Sequence, residues 1–595
     1  MADDLARANR GRASFVELLA MVIAHDITAF PAIDSALAEL QAGSQRWARL
    51  PVMAKVALLR DCRDGVYAVR ERWAQAAIDA KGLRGTGLEG EEWISGPWAL
   101  LYALNRYIAT LEGIAASGSP PLPPSRIRVG DAGRSVAQVF PNGPYDRLLL
   151  NGISAEVWME PGLSLAEVPA TMATWYRERD PQPRVALVLG AGNIAAIPPL
   201  DVLYKLLADG AVCMLKMNPV NDYLGPIFER ALAPLVDEGY LRFAYGGPEV
   251  GQYLCASAAV DEIHITGSDA THDAIVFGLG EDGAARKRAG EPILKKPITS
   301  ELGNVSPTIV FPGDWSEADF RFQAENIVTQ KLHNNGFNCI AAQVLILPQE
   351  WTGTPRLIAA IEEVLRTLPD RPAYYPGAAS RCERLSQVGE SVALGRTSDG
   401  YTARTIRHAD FSDRTDPAFA VEAFSSFLAY VTIPGEVERY SLDAVAFAND
   451  RLRGTLGANI IVHPRSEREH ARTVERAVAD LRYGCIAINA WTGVGFLLTE
   501  TTWGAFPGHS LADVGSGIGV VHNSFLFSRA EKSVIRAPFA PFPRSLFGFG
   551  GTLLPKPPWF VTNKTGASIG PALCDFEYRP SPLAALRVAL LAMRG

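Results

Sequence analysis

The sequence predicts an α/β protein of more than one domain, and three observations support that class. The chain has 595 residues, 48% hydrophobic and 20% charged, which is globular composition and more length than a single hydrophobic core organises. From Val185 onward, short apolar strand patterns alternate with helix-length segments, as in parallel βαβ units. A second series of strands begins at Pro307, so we expect two α/β domains with a boundary in the basic, turn-rich stretch 281–300.

Other segments frame these domains. The apolar spacing over residues 14–116 predicts mainly helices, and the Pro-rich stretch 118–125 predicts a connector. The alternating stretches "RSVAQVFP" and "AEVWME" predict a hairpin-like pair of strands. The last 58 residues mix Pro, Phe and Gly with little periodicity. There we expect an extended segment on the surface, followed by a short helix.

Composition and charge argue against several classes of protein. A net charge of -7 argues against a nucleic-acid surface. The N-terminal sequence lacks the apolar region of a secretory signal, and no window approaches the ~20 apolar residues of a membrane span. The seven cysteines are scattered without a CxxC pair, which predicts no disulfide framework and a reducing cytoplasmic location. Neither cysteines nor histidines form a metal-like cluster, so no metal is implied.

The segment "VALVLGAGNIAAIPP" (185–199) leads an apolar strand into Gly190-x-Gly192-x-x-Ala195, the pattern of a turn that binds a dinucleotide pyrophosphate. Two features oppose that interpretation. Pro198 and Pro199 would fall in the first turns of the following helix. The acidic ribose ligand expected ~20 residues later is also missing.

Two strings carry candidate chemistry. Cys339 lies in a Gly/Asn-rich turn before an apolar strand, where it could project into a cleft and act as a nucleophile. The alternative is a small buried hydrophobic residue. Glu301 precedes a Leu-Gly-Asn turn and a strand, where it could be a general base that activates water. The alternative is an exposed acid at the end of an element.

Together with other motifs in the same order, these strings resemble the aldehyde dehydrogenase superfamily over roughly residues 45–537. The resemblance implies an α/β fold that is aldehyde dehydrogenase-like, with two Rossmann-like α/β domains and a small β oligomerisation element. The motifs are Asn193 in "GAGNI", Lys216 in "MLKMNP", Gly267 and Ser268 in "VDEIHITGS", Glu301 in "ELGNVSP", Cys339 in "NNGFNC", Glu422 and Phe424 in "VEAFSSF", Asn489 in "LRYGCIAIN", and the late Gly-rich loop "WGAFPGHSLADVGSG".

The same resemblance divides the chain into units and implies a homodimer or homotetramer. The tail could cover a pocket mouth, add to a subunit interface or make a peripheral contact with a membrane, and the sequence does not decide among these. The units are N-terminal helices and a dinucleotide-binding domain at 1–132 and 163–298, oligomerisation strands at 133–162 and 518–537, a catalytic domain at 299–517 and a C-terminal extension at 538–595.

The resemblance also implies a reaction. Cys339 attacks an aldehyde to give a thiohemiacetal, hydride leaves to a nicotinamide, and Glu301 activates the water that hydrolyses the thioester to a carboxylic acid. Asn193 lies 23 residues before Lys216, an interval typical of the family, which favours a role as oxyanion donor over the pyrophosphate turn. Phe337, Ile340, Ile194 and Trp491 would make an apolar pocket for the aldehyde.

The implied cofactor is NAD or NADP. Lys216 would bind the adenosine ribose, Gly267 and Ser268 the pyrophosphate, and Glu422 with Phe424 the nicotinamide ribose. One departure leaves the choice of cofactor open: Pro219 stands where the family often has a ribose-binding Glu. A second departure, His272 in place of a usual glycine, implies a different approach to the pyrophosphate.

Two alternatives differ in function. One is an acyl-CoA reductase of the same fold, but branches that transfer the acyl group to CoA generally lack the water-activating glutamate that Glu301 would supply. The other is a non-catalytic scaffold homologue, against which the presence of Cys339, Glu301 and Asn193 argues.

Overall fold

Two large β-sheets organise the protein, whose computed structural model describes residues 30–130, 133–397, 400–546 and 551–595. One sheet has six strands and the other eleven. The central strands of both sheets are parallel and are connected through helices, which confirms the predicted α/β class.

The six-stranded sheet forms the core of the first domain. Its strands are rich in Val, Leu and Ile and are almost completely buried, as expected for a parallel sheet covered on both faces. Five strands run parallel, and the outer strand Gly517–Ile518 is antiparallel to its neighbour. Their carboxyl ends therefore share one edge of the sheet. The spatial order is Gly517–Ile518, Ile298–Leu302, Glu262–Gly267, Val185–Leu189, Val212–Lys216 and Leu241–Ala244.

Helices cover this sheet and extend it on the N-terminal side. The long helix Val52–Ala80 buries an apolar stripe that includes Val56, Leu59 and Trp73, as the apolar spacing predicted. The part of the predicted helical segment before Phe30 lies outside the described residues. The helices are Pro31–Arg49, Val52–Ala80, Gly90–Trp93, a π turn at Ile94–Trp98, Ala99–Ser117, Ile197–Leu207, Gly225–Ala231, Ala233–Asp237, Pro248–Ala256, Asp269–Phe277 and Gly280–Ala289.

The eleven-stranded sheet contains both the second α/β unit and the predicted hairpin. The hairpin strands pair antiparallel with each other, and Ala530–Arg536 joins them. Ala530–Arg536 then pairs in parallel with Cys485–Ile488 of the same chain, so the hairpin strands extend the sheet of the second α/β unit within one molecule. The spatial order is Ile127–Val129, Ser135–Phe140, Ser154–Met159, Ala530–Arg536, Cys485–Ile488, Gly457–Ile461, Ser306–Val310, Ala342–Pro348, Phe427–Ile433, Arg404–His408 and Ser391–Leu394.

The helices of the second unit surround the parallel part of this sheet. Helix Glu317–Leu332 begins at a capping box in which Ser316 and Asp319 satisfy each other's backbone N–H groups. This helix leads directly into the turn that carries Cys339. The helices are Glu317–Leu332, Gly353–Thr367, Ala378–Ser386, Pro417–Ala420, Val437–Arg451, Pro464–Glu469, Ala471–Asp480 and Thr492–Leu497.

The C-terminal extension contains two helices, Gly566–Tyr578 and Pro582–Ala592. The second is the short helix expected from the sequence, and the first was not expected. The first helix packs against the N-terminal helices: a Cβ on Gly570 would lie 2.3 Å from Cβ of Trp93. The glycines of this helix allow the close packing. The sequence of the extension has no clear periodicity, so it did not predict this helix. Within the described ranges, no helix has both the length and the apolarity that a membrane crossing requires.

Candidate active site

Cys339 lies in a tightly wound turn between helix Glu317–Leu332 and strand Ala342–Pro348. Asn334, Asn335 and Gly336 adopt left-handed φ angles of 53°, 55° and 80°, a conformation that Asn tolerates and Gly adopts freely. A Cβ on Gly336 would lie 2.3 Å from the carbonyl oxygen of Ser425, so only glycine fits there. The turn leaves Cys339 partly exposed.

Glu301 is the group beside the thiol. Its carboxyl is buried, is in hydrogen-bonding contact with Cys339, and accepts a bond from Nε1 of Trp503 at 3.4 Å. Burial raises the pKa of Glu301 to about 8, and the nearby charge of Asp201 adds to the rise. Burial and the Glu301 charge raise the pKa of the Cys339 thiol well above its usual range. The thiol is therefore protonated at neutral pH, and the Glu301 carboxyl beside it becomes a proton acceptor as the pH approaches about 8.

A second carboxylate, that of Glu422, closes on the same site. Its Oε1 accepts from the backbone N–H of Asn304 at 3.4 Å, and a Cβ on Gly303 would lie 1.9 Å from its Oε2. Burial raises the pKa of Glu422 to about 7, and its charge contributes to the raised pKa values of Glu301 and Cys339. A side chain at residue 303 would collide with the Glu422 carboxylate, so this contact requires glycine there.

Asn193 extends from the six-stranded sheet to the turn 333–339, which carries the candidate nucleophile Cys339 and is called the nucleophile turn below. Its side chain is buried, and Nδ2 donates to the carbonyl oxygen of Phe337 at 2.9 Å. Phe337 lies two residues before Cys339. The structure thus brings together three predicted catalytic residues: Cys339 and Glu301 in contact, and the Asn193 amide bound to the same turn.

The glycines of the Asn193 turn are packed against protein atoms. A Cβ on Gly192 would lie 2.7 Å from Oδ1 of Asn218, and one on Gly190 would lie 3.1 Å from Cβ of Pro198. The whole stretch from Gly190 to Pro199 is buried. This packing leaves no open space for a pyrophosphate against the turn.

A different turn on the same sheet edge is open. Gly267 is exposed, and a Cβ there would meet only the Ile265 side chain of its own strand, at 3.5 Å. Ser268 caps helix Asp269–Phe277 by accepting from the N–H of Thr271 at 3.2 Å. A helix N-terminus beside a bare glycine at the carboxyl edge of a parallel sheet suits a phosphate group.

Lys216 ends the strand Val212–Lys216 on the same edge. It is mostly buried, and within the described ranges its ammonium makes no hydrogen bond to the protein. Burial lowers the pKa of Lys216, while the charges of Glu249 and Asp222 act in the opposite direction. An unbonded ammonium at this edge is available for ribose hydroxyls, so these residues fit a nicotinamide dinucleotide.

Comparison with known proteins agrees with this arrangement. A sequence model of the aldehyde dehydrogenase family matches residues 178–403. The peroxisomal aminoaldehyde dehydrogenase 2 of Pisum sativum is 30% identical over 353 residues, which are 56% of this chain and 59% of that protein. The chain is therefore similar in sequence to the aldehyde dehydrogenase family over residues 178–403. It spans about half the length of the curated relatives it matches.

Solved aldehyde dehydrogenase structures share the fold. The Mycobacterium tuberculosis aldehyde dehydrogenase complexed with NAD⁺ has a TM-score of 0.57 and 18% identity, over 87% of this chain and 92% of that one. The glyceraldehyde-3-phosphate dehydrogenase GapN of Methanocaldococcus jannaschii, complexed with NADP, has a TM-score of 0.55 and 14% identity, over 87% and 96%. The aldehyde dehydrogenase-like fold predicted from the sequence is confirmed.

The four apolar residues predicted to form one substrate pocket are distributed around the nucleophile turn. Phe337 joins an aromatic cluster with Tyr374, Tyr375 and Phe424. The other three lie in separate surroundings: Ile194 packs with Ala191, Ile197 and Phe496, Trp491 with His333, and Ile340 below Gly457.

Two further motif residues have contacts that explain their sequence positions. Asn489 has a left-handed φ of 55°, and its amide pairs with both the N–H and the carbonyl of Val462, at 2.9 and 3.0 Å. Asn489 therefore connects the ends of the neighbouring strands Gly457–Ile461 and Cys485–Ile488 in the eleven-stranded sheet. His272 is fully buried in helix Asp269–Phe277, so this departure from the family pattern leaves the open Gly267 turn free. Among the described residues, no three His, Cys, Asp or Glu side chains are arranged to hold a metal.

Sequence reasoning missed a buried charged cluster behind the nucleophile turn. Arg371 binds Glu91 through two bonds of 2.7 and 3.0 Å, and Glu91 accepts the N–H of Asn334 at 3.0 Å. Lys81 binds Glu92 at 2.8 Å. The sequence offers one signal, the adjacent acids of "EEWISGPWALL" in an apolar stretch, and no spacing connects them to Arg371 or Lys81.

Proposed function

We propose that the protein oxidises an aldehyde to a carboxylic acid through a thioester on Cys339, with a nicotinamide dinucleotide as hydride acceptor. The observation that carries the proposal is the contact between the Cys339 thiol and the Glu301 carboxyl, at a turn that also binds the Asn193 amide. Acyl transfer from a thiol needs a nucleophile, a base and an oxyanion donor in one place.

The first half-reaction forms a bond between sulfur and carbon. Glu301 takes the proton of the Cys339 thiol, and the thiolate attacks the aldehyde carbon to give a thiohemiacetal. One N–H of the Asn193 amide is bonded to Phe337, and the second remains for the oxyanion. A bound dinucleotide would supply the hydride acceptor for this carbon, and loss of the hydride would leave a thioester on Cys339.

The second half-reaction uses Glu301 again. Once its proton has passed to solvent, the carboxylate takes a proton from water, and the hydroxide attacks the thioester. The tetrahedral intermediate collapses, the C–S bond breaks, and the Cys339 thiolate leaves with the carboxylic acid as product. A base whose pKa is about 8 is better matched to deprotonating water near neutral pH than an ordinary carboxylate.

Three of the residues that would hold the dinucleotide lie along the carboxyl edge of the six-stranded sheet, and the other two precede strand Phe427–Ile433 of the eleven-stranded sheet. Gly267 and Ser268 would receive the pyrophosphate, Lys216 the adenosine ribose, and Glu422 with Phe424 the nicotinamide ribose. Glu249 and Asp222 place negative charge near Lys216. Position 219 is proline and has no carboxylate to repel a 2′-phosphate, but Glu249 and Asp222 would repel it instead. We therefore infer a preference for NAD over NADP.

One assay tests this function. The full-length protein is mixed with NAD or NADP and a panel of short, long and aromatic aldehydes, with and without CoA. We expect reduced cofactor without CoA, with NAD favoured by roughly tenfold or more. Cys339→Ala should lower turnover by roughly 10⁴-fold or more. Cys255→Ala, which changes another half-buried free cysteine outside the site, should leave turnover unchanged.

Glu301→Gln separates the two half-reactions. Removing the Glu301 charge lowers the pKa of the Cys339 thiol, which can then lose its proton to solvent, so a burst of reduced cofactor should remain but form more slowly. Steady release of acid should fall by roughly 10²–10⁴-fold, because the base for water is lost. Full activity of Cys339→Ala would reject the proposal, and turnover that requires CoA would identify an acyl-CoA reductase instead.

A further inference from the structure

We propose that Lys81 is a positioning residue for this reaction: its buried ammonium fixes the turn that carries Asn193 to the turn that carries Cys339. The inference rests on the proposed function. Lys81 contacts neither the thiol nor the Glu301 carboxyl among its described hydrogen bonds, so its effect must act through Asn193 and Asn334.

Lys81 follows the long helix Val52–Ala80 and is only 5% exposed. Its Nζ donates to Oε1 of Glu92 at 2.8 Å, to the backbone carbonyl of Asn193 at 3.0 Å and to Oδ1 of Asn334 at 3.2 Å. An ammonium has three donor hydrogens, and all three are used. One cation thus joins three distant parts of the chain.

The backbone carbonyl of Asn193 is an unusually crowded acceptor. Besides Lys81, it faces Nδ2 of Asn334 at 3.1 Å and the hydroxyl of Tyr374 at 3.1 Å. The Tyr374 hydroxyl also lies 2.9 Å from Oδ1 of Asn334, and its single hydrogen serves one acceptor at a time. These donors restrict rotation of the peptide from which the Asn193 side chain extends.

The amides of Asn193 and Asn334 then hold the nucleophile turn. Both donate to the carbonyl oxygen of Phe337, at 2.9 and 3.0 Å. The path from Lys81 to the site is therefore short: one ammonium, two asparagines and one carbonyl two residues before Cys339. A change in the Asn193 peptide would move an oxyanion donor relative to the sulfur.

The charge of Lys81 matters because Glu92 is completely buried beside it. Without the ammonium, that carboxylate would be left in the interior without a counter-ion, which is costly. The charge also strengthens the bonds to the two asparagines, since charge-assisted hydrogen bonds are roughly twice as strong as neutral ones. The Lys81 side chain thus both holds the turns of Asn193 and Cys339 and neutralises the buried charge of Glu92.

Lys205 provides a matched control. It is equally buried and pairs with Glu262 at 3.0 Å and Asp209 at 2.8 Å. None of its described bonds involves the nucleophile turn or the Asn193 turn. Lys205→Met therefore removes the same charge from a similar environment without touching the path described above.

The test compares Lys81→Met with Lys205→Met in the full-length protein. We expect Lys81→Met to lower kcat by about 10-fold to 100-fold, because an ångström-scale displacement of catalytic groups has effects of that size. KM for the dinucleotide should stay within about twofold. Lys205→Met should keep kcat within about twofold even where thermal stability falls equally.

A double-mutant cycle isolates the path. Because Lys81 acts through Asn193, Lys81→Met in an Asn193→Ala background should lower kcat by less than about threefold. Tyr374→Phe removes only a hydroxyl from the same carbonyl and should lower kcat several-fold, which keeps the test informative if Lys81→Met does not fold. Fully multiplicative effects of Lys81→Met and Asn193→Ala, an equal loss in Lys205→Met, or an unchanged kcat in Tyr374→Phe would overturn the inference.

A second readout needs no turnover. The alkylation rate of Cys339 by iodoacetamide, measured against Cys255 in the same molecule, should change by about fivefold or more in Lys81→Met and stay constant in Lys205→Met. A changed Cys339 rate in a protein that oxidises no aldehyde would support the positioning role while rejecting the proposed function. An unchanged alkylation rate of Cys339 in Lys81→Met, in a protein that oxidises aldehydes, would reject the positioning role of Lys81 and leave the proposed function standing.

Discussion

The turns after strands Val185–Leu189 and Glu262–Gly267 leave neighbouring strands of one sheet at the same edge, yet their glycines have opposite surroundings. At the first turn, a Cβ on Gly192 would lie 2.7 Å from Oδ1 of Asn218. At the second, a Cβ on Gly267 would meet nothing closer than 3.5 Å, and the residue is exposed. In the glycine-rich turn, protein atoms occupy the space beside the glycine. In the turn at Gly267, that space is open.

This difference shows what a glycine pattern establishes and what it does not. Glycine allows a close approach, but the approaching atoms can belong to the protein or to a ligand. At the Asn193 turn they belong to the loop that contains Asn218, and the turn directs an amide toward the nucleophile. This difference supports the proposal that the first turn serves the reaction and the second binds the cofactor.

The largest effect that separates the two turns is expected from Asn193→Ala. Loss of one preorganised oxyanion donor should lower kcat by about 10²–10³-fold. The KM for NAD should change little, because the turn has no open face. As a control, Asn221→Ala removes an amide that binds Ala191 in the same turn at 2.9 Å but does not reach Phe337, and it should affect kcat far less. A large loss of NAD affinity in Asn193→Ala would show instead that the Asn193 turn binds the pyrophosphate.

The turnover that depends on Glu301 should also vary with pH. The pKa of Glu301 is raised to about 8, and its base form is needed for hydrolysis. Steady-state kcat should therefore rise by about tenfold per pH unit below this value and level off above it. Glu301→Gln should lose this profile. A profile that persists in Glu301→Gln would show that another group limits the reaction.

The smallest effects are expected from alanine at the two glycines. Gly192→Ala should lower the free energy of unfolding by about 1–3 kcal/mol, because its Cβ must displace Asn218. Gly267→Ala should leave stability unchanged within about 0.5 kcal/mol and raise the KM for the dinucleotide several-fold. Chemical denaturation and cofactor titration measure both. Equal stabilities of the two variants would contradict the packing described for Gly192.

The sequence predicted the strands well because their apolar runs are local signals. The nucleophile turn and Glu301 were also predicted, since each lies in a short motif. Lys81, Arg371 and Tyr374 were not, because their partners lie up to 280 positions away and no local pattern marks them. The Gly566–Tyr578 helix was missed for a similar reason: its glycines fit against Trp93 and Gly90, so its stability depends on the rest of the fold.

The neighbours of Glu301 have a consequence for the order of synthesis. Its strand pairs on one side with Gly517–Ile518, and its carboxyl accepts from Trp503, which lies 202 positions later. A ribosome completes Glu301 and Cys339 well before it reaches these residues. Until then Glu301 has an open flank, and the water there favours the ordinary acidity of a carboxylate. Because burial is the main cause of the raised pKa of Glu301, the carboxyl acquires that pKa only after the residues that complete its surroundings have been synthesised.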